Sequence, residues 1–194
     1  MKRVFIIHGW SGKPEHGWYP WLKKELEKKG FKASVPKLPN TDDPKIDAWV
    51  STLSSAVGNS DEDTYFVGHS MGCQTIARYL EKLSDNEKVG GAVFVGGYFK
   101  SLTGLVEDEP AIWKKWKGIP VNLDEVRAHL LKSVAIFSDN DPYVPLENSD
   151  DFKNKLGSEI IILKNMGHFI QNDGCYEVPI VLEKLLEIAN SPKV

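Results

Sequence analysis

The sequence predicts an α/β protein: a three-layer α/β/α sandwich around a doubly wound, mostly parallel sheet of about six strands. Three observations carry this reading. Six short runs rich in β-branched and aromatic residues alternate with segments of helical period. Proline and glycine punctuate the helical segments in the order that opens and then closes a helix. The chain has 194 residues, 41% hydrophobic and 26% charged, which suits one globular domain spanning 1–194 with a single main core.

Taken in order, the expected strands are residues 4–8, 31–35, 64–68, 92–96, 134–138 and 160–163. Between the first two, Leu22 and Leu26 mark a helix that Pro20 can start and Gly30 can end. Ile46, Trp49, Val50, Leu53 and Val57 fall at helical spacing and form a second stripe facing the sheet. Ile76, Ala77, Leu80 and Leu83 form a third, and Val178, Val181, Leu182, Leu185 and Leu186 a fourth. Residues 98–118 break the rhythm: an acidic cluster and Pro110 precede Ile112, Trp113 and Trp116. A connection this long reads either as a small cap over a site or as a helical excursion packed on the scaffold.

Composition excludes several functions. A formal net charge of -3 leaves no footprint for nucleic acid. The apolar run from Val4 to Ile7 is far too short for a signal-peptide core or a membrane span, so no membrane insertion is expected. Two cysteines, Cys73 and Cys175, are too few for a disulfide framework or a zinc cluster, which points to buried thiols in a reducing cytoplasm.

The chemistry gathers at strand ends. Gly68-His69-Ser70-Met71-Gly72 fits the Gly-x-Ser-x-Gly nucleophile elbow, where the chain turns too sharply for bulky neighbours. In a chain with 16 glycines the pattern can arise by chance, so context decides, and here it joins an expected strand to an expected helix. A serine hydroxyl needs a base within hydrogen-bonding reach and an orienting group behind the base. His168 follows the last strand and Asp141 the fifth, so the order Ser70, Asp141, His168 is that of this elbow's usual partners. Asp139 competes with Asp141 for the acid role and is equally a turn former. His69, His16 and His129 have weaker claims. The loop His8-Gly9-Trp10-Ser11-Gly12 should arch over the same sheet edge, so the backbone N–H groups of Met71 and Trp10 are the candidate oxyanion donors. Trp10, Trp18, Trp113 and Trp116 are candidates for the walls of a small apolar pocket, with the core as the alternative for each.

Together the segments HGWSG, GHSMG, SDNDPYVP and NMGHF, in this order over nearly the whole chain, resemble the small YdeN-like serine hydrolases, related to the retinoblastoma-binding-protein hydrolases of the α/β-hydrolase superfamily. The resemblance implies a compact member with a minimal cap, no metal or organic cofactor, and Ser70, Asp141 and His168 as the triad. It implies a small-molecule acyl substrate cleaved as an ester or related acyl bond. A binding or scaffold protein on the same fold and an acyltransferase using the same residues are the rival readings.

Overall fold

The computed structural model describes residues 1–105 and 109–192. Six strands form one sheet: β1 (Arg3–Ile7), β2 (Lys32–Ser34), β3 (Thr64–His69), β4 (Gly91–Val95), β5 (Ser133–Ser138) and β6 (Glu159–Leu163). Their order is β2-β1-β3-β4-β5-β6 and every pair is parallel. Each expected strand is present within a residue or two of its expected bounds. The helices are α1 (Tyr19–Lys28), α2 (Ile46–Val57), α3 (Met71–Leu80), α4 (Glu109–Lys117), α5 (Leu123–His129), α6 (Ser149–Asn154) and α7 (Pro179–Asn190).

Side chains on successive strand residues point to opposite faces, and the strands divide accordingly. Phe5, Ile7, Phe66, Phe94 and Phe137 pack on the face covered by α2, α3, α5 and α6. Val4, Ile6, Val67, Val95 and Ile136 pack on the other face, under α1 and α7. The helical stripes supply the matching surfaces: Trp49, Val50, Leu53 and Val57 from α2 are buried, as are Leu22 and Leu26 from α1 and Val181 and Leu185 from α7. Pro20 lies in the first turn of α1, and Gly30 takes a left-handed φ of 84° just beyond its end. The sequence pattern did not resolve α6, whose six residues are too few to show a period.

The sheet reverses its winding direction between β1 and β3, and in open parallel sheets the crevice outside the carboxyl ends at such a point is where ligands bind. At the opposite end of the order, β6 is an edge strand that pairs only with β5. Its residues are partly exposed, Ile162 by 51%.

The stretch expected as a cap, 98–118, comprises an irregular segment to Leu105 and then α4; residues 106–108 lie outside the described part. Trp116 is buried against Trp49 and donates its indole N–H to the Pro44 carbonyl at 3.1 Å. Trp113 packs edge-on against Tyr98. The C-terminal end of α4 is held by the buried Arg78 of α3, which donates to the carbonyls of Trp116 at 2.7 Å and Ile119 at 2.5 Å. No helix among the described residues is long and apolar enough to cross a membrane.

Candidate active site

The elbow forms where β3 hands over to α3. Ser70 has φ 53° and ψ -123°, a conformation that non-glycine residues rarely adopt and that persists only when its surroundings enforce it. Here the enforcement is backbone packing. A Cβ on Gly72 would fall far inside van der Waals contact distance of the Ile7 carbonyl oxygen at the end of β1, and one on Gly68 would lie 2.9 Å from the Cα of Cys73. The glycines thus let the first turn of α3 press against β1, which leaves the Ser70 side chain standing above the sheet edge.

Across the crevice His168 Nε2 lies 2.9 Å from Ser70 Oγ, and its Nδ1 lies 2.8 Å from Asp141 Oδ2. With Nδ1–H donated to the carboxylate, Nε2 is left to accept the serine O–H. The Asp141 side chain is 2% exposed and that of His168 is 10% exposed. The second Asp141 oxygen accepts the backbone N–H groups of Tyr143 and Val144 at 2.9 and 3.0 Å. Ser70, His168 and Asp141 are therefore brought together as one hydrogen-bonded chain. Asp139 is not part of it: its carboxylate accepts the Asn165 N–H at 2.8 Å.

That contact belongs to a set that the sequence did not reveal. Four consecutive backbone N–H groups leading to His168 are each held by a side chain. Asn165 donates to Asp139, Met166 to Ser138 Oγ at 3.0 Å, Gly167 to Asn140 Oδ1 at 2.9 Å and His168 to Asp173 Oδ2 at 2.8 Å. The cluster Ser138-Asp139-Asn140 was visible as a polar strand end, but its partners lie a strand away and only the fold joins them.

His69 was likewise undervalued. It is buried beneath the site, with Nε2–H donating to the His168 carbonyl at 2.7 Å and Nδ1 accepting the Tyr19 hydroxyl at 2.7 Å. Burial, reinforced by the neighbouring His168, lowers its pKa to about 3, so the ring is neutral and holds one tautomer. The Trp18 indole adds a second tie to this loop, donating to the Phe169 carbonyl at 3.0 Å.

Opposite the elbow, the β1 loop approaches so closely that a Cβ on Gly9 would lie 3.0 Å from that of Ser70. The Gly9 carbonyl accepts from His8 Nδ1 at 2.9 Å and from the Gly12 N–H at 3.1 Å. His8 is fully buried; desolvation lowers its pKa and keeps it neutral. Because the peptide unit is planar and trans, fixing the Gly9 carbonyl also fixes the Trp10 N–H on the opposite side. Neither the Trp10 nor the Met71 N–H has an acceptor among the described residues.

Two cavities open at Ser70 and share His168, Trp10, Ser11 and Ile170. One, of about 280 Å³, runs under the β1 loop past His16, Tyr19, Gln171 and Asn172. The other, of about 200 Å³, is walled by Tyr98, Leu102, Leu105 and Tyr143. The expectation that Trp113 and Trp116 form pocket walls is corrected. Both are buried in the core and line neither cavity, because the helical stripe that places them on α4 faces the scaffold. Trp10 and Trp18 do line the first cavity.

A parallel sheet of this winding, with a serine elbow after β3 and its histidine and carboxylate presented from the ends of β6 and β5, has the architecture of an α/β hydrolase. Comparison with known proteins narrows this class. Residues 4–187 match the serine hydrolase family, and the chain belongs to it. It is 32% identical over 184 residues to YdeN of Bacillus subtilis (strain 168), covering 95% of this chain and 94% of the relative. It is 24% identical over 172 residues to the serine hydrolase RBBP9 of Rattus norvegicus, covering 88% and 87%. The crystal structure of the ydeN gene product from B. subtilis superposes with a TM-score of 0.90 at 30% identity, covering 98% of this chain and all of the other. The protein is therefore a hydrolase enzyme, and its family implies a small-molecule substrate.

Proposed function

We propose that the enzyme cleaves carboxylic esters through an acyl-enzyme on Ser70. The observation that carries this reading is the unbroken hydrogen-bond chain Ser70–His168–Asp141 at the mouth of two cavities. Ser70 Oγ attacks the acyl carbon while His168 Nε2 takes its proton, and Asp141 stabilises the imidazolium that forms. The carbonyl oxygen gains charge between the N–H groups of Trp10 and Met71, donors that are already oriented and need no rearrangement. When the intermediate collapses, the bond to the leaving oxygen breaks and His168 returns the proton to it. Water then enters, gives a proton to His168, attacks the acyl carbon and releases the acid with Ser70 restored.

The test is labelling with a fluorophosphonate probe together with turnover of p-nitrophenyl esters. Wild type should label on Ser70 and release nitrophenol. Ser70→Ala should fold normally, fail to label and lose turnover by about 10⁶-fold. A folded wild type that neither labels nor turns over any ester would favour a scaffold role for the fold.

A further inference from the structure

The two cavities that meet at Ser70 differ in chemistry, and their assignment follows from the order of events in an acyl-enzyme reaction. The inference rests on the hydrolytic reading above. In the first half the leaving group R′–OH departs with the proton from His168, and in the second half water takes the place it vacated. The acyl group R–CO stays bonded to Ser70 throughout. The leaving-group side must therefore admit water, whereas the acyl side must stay filled and does best as a dry, shaped wall.

The linings fit one assignment better than the other. The smaller is walled by Tyr98, Leu102, Leu105 and Tyr143, all of which offer carbon surface to a chain. Its walls are also fixed to one another. The buried Asn148 accepts the N–H groups of Phe99 and Lys100 at 3.2 and 3.0 Å and donates to the Ser101 carbonyl at 2.9 Å. The Thr103 N–H donates to the Tyr143 carbonyl at 2.9 Å. Residues 99–103 are thus pinned to the segment that runs from Asp141 to Asn148, so this wall of the pocket is formed before substrate arrives. The larger cavity also has Trp18, Phe169 and Ile170 in its lining, but it alone of the two adds the polar ends of His16, Gln171 and Asn172 beside the oxyanion loop, which solvate a hydrophilic leaving group or the water that replaces it.

We infer that the substrate is an ester of a short aliphatic acid with a polar alcohol, the acyl chain lying between Leu102, Leu105 and Tyr143 and the alcohol toward Gln171 and Asn172. A volume of about 200 Å³ holds about seven water-sized groups, at about 30 Å³ each. It therefore accepts a chain of roughly four to six carbons.

The experiment measures kcat/KM for p-nitrophenyl esters from acetyl to decanoyl, and for acetyl esters of alcohols of rising length and polarity. In wild type the acyl series should rise about fourfold per methylene and stop rising near hexanoyl. Leu102→Trp, which fills the pocket, should lower the hexanoyl-to-acetyl ratio by tenfold or more. Leu105→Ala, which enlarges it, should move the plateau to longer chains. The alcohol series should keep its wild-type slope in both variants and change in Gln171→Leu. Labelling by the fluorophosphonate probe with an acyl series that is flat, or with leucine variants that alter the alcohol series instead, would overturn the assignment while leaving the hydrolase reading intact. Absence of both labelling and ester turnover would remove the hydrolytic reading and this inference with it.

Discussion

Asp139 and Asp141 sit two residues apart at the end of β5, and the structure separates their work. Asp141 meets the His168 ring, and Asp139 meets a backbone N–H three residues before it. Asp141→Asn removes the acceptor that selects the Nδ1–H tautomer and should lower kcat by about 10⁴-fold. Asp139→Asn keeps a carbonyl oxygen for the Asn165 N–H and should lower kcat by less than about tenfold. Steady-state kinetics on one ester decides between them, and the reverse ranking would transfer the acid role to Asp139. The three residues of the hydrogen-bonded chain were legible in the sequence because each sits directly after an expected strand, in a motif whose spacing reflects chemistry. His8, His69 and Asp173 were not, because each acts on backbone atoms, His8 and Asp173 within their own loops and His69 on the distant His168 carbonyl, and no residue pattern marks a side chain for such a partner.

Among the elements, the strands and the long helices were legible from period and punctuation alone. The tryptophans of α4 show the limit of that method: an apolar residue at helical spacing faces either the core or a pocket, and the spacing is the same for both. Conversely, Leu102 and Leu105 lie in an irregular segment with no period to advertise them, although they wall a cavity. The junction of α3 with β1 gives an energetic test. Gly72→Ala places a methyl group against the Ile7 carbonyl oxygen and should cost about 3 kcal/mol or more by overpacking, measured by urea denaturation. Gly30→Ala meets nothing within 4 Å. It bears only the strain of a left-handed backbone, about 1 kcal/mol. Equal costs at the two sites would mean that the helix can shift and that the elbow is not held by this contact.

For the molecule as a whole, its buried neutral histidines tie stability to pH. His69 titrates at about 3 when folded and near the ordinary 6.5 when unfolded. Between these values the unfolded chain binds a proton that the folded one does not. Stability is therefore fully present above pH 6.5 and falls as the solution is acidified toward pH 3. The slope contributed by one such group is at most about 1.4 kcal/mol per pH unit. His69→Phe removes the proton site and should flatten the loss between pH 7 and pH 5 relative to wild type, even though the variant is less stable at pH 7. Denaturation curves at the two pH values measure the difference, and parallel losses in both proteins would show that His69 does not carry it.

The position of β6 at the sheet margin bears on how the enzyme fails. Cooperative units at the periphery open at lower free energy than a central strand does, and His168 is carried by the loop that follows β6, whereas Ser70 is carried by β3 in the middle of the sheet. Fraying of one margin separates base from nucleophile and leaves most of the secondary structure standing. Under rising urea, ester turnover should therefore disappear at a lower midpoint than the far-ultraviolet circular dichroism signal. Amide exchange should be faster in β6 than in β3, and coincident midpoints with equal protection would mean that site and sheet melt as one.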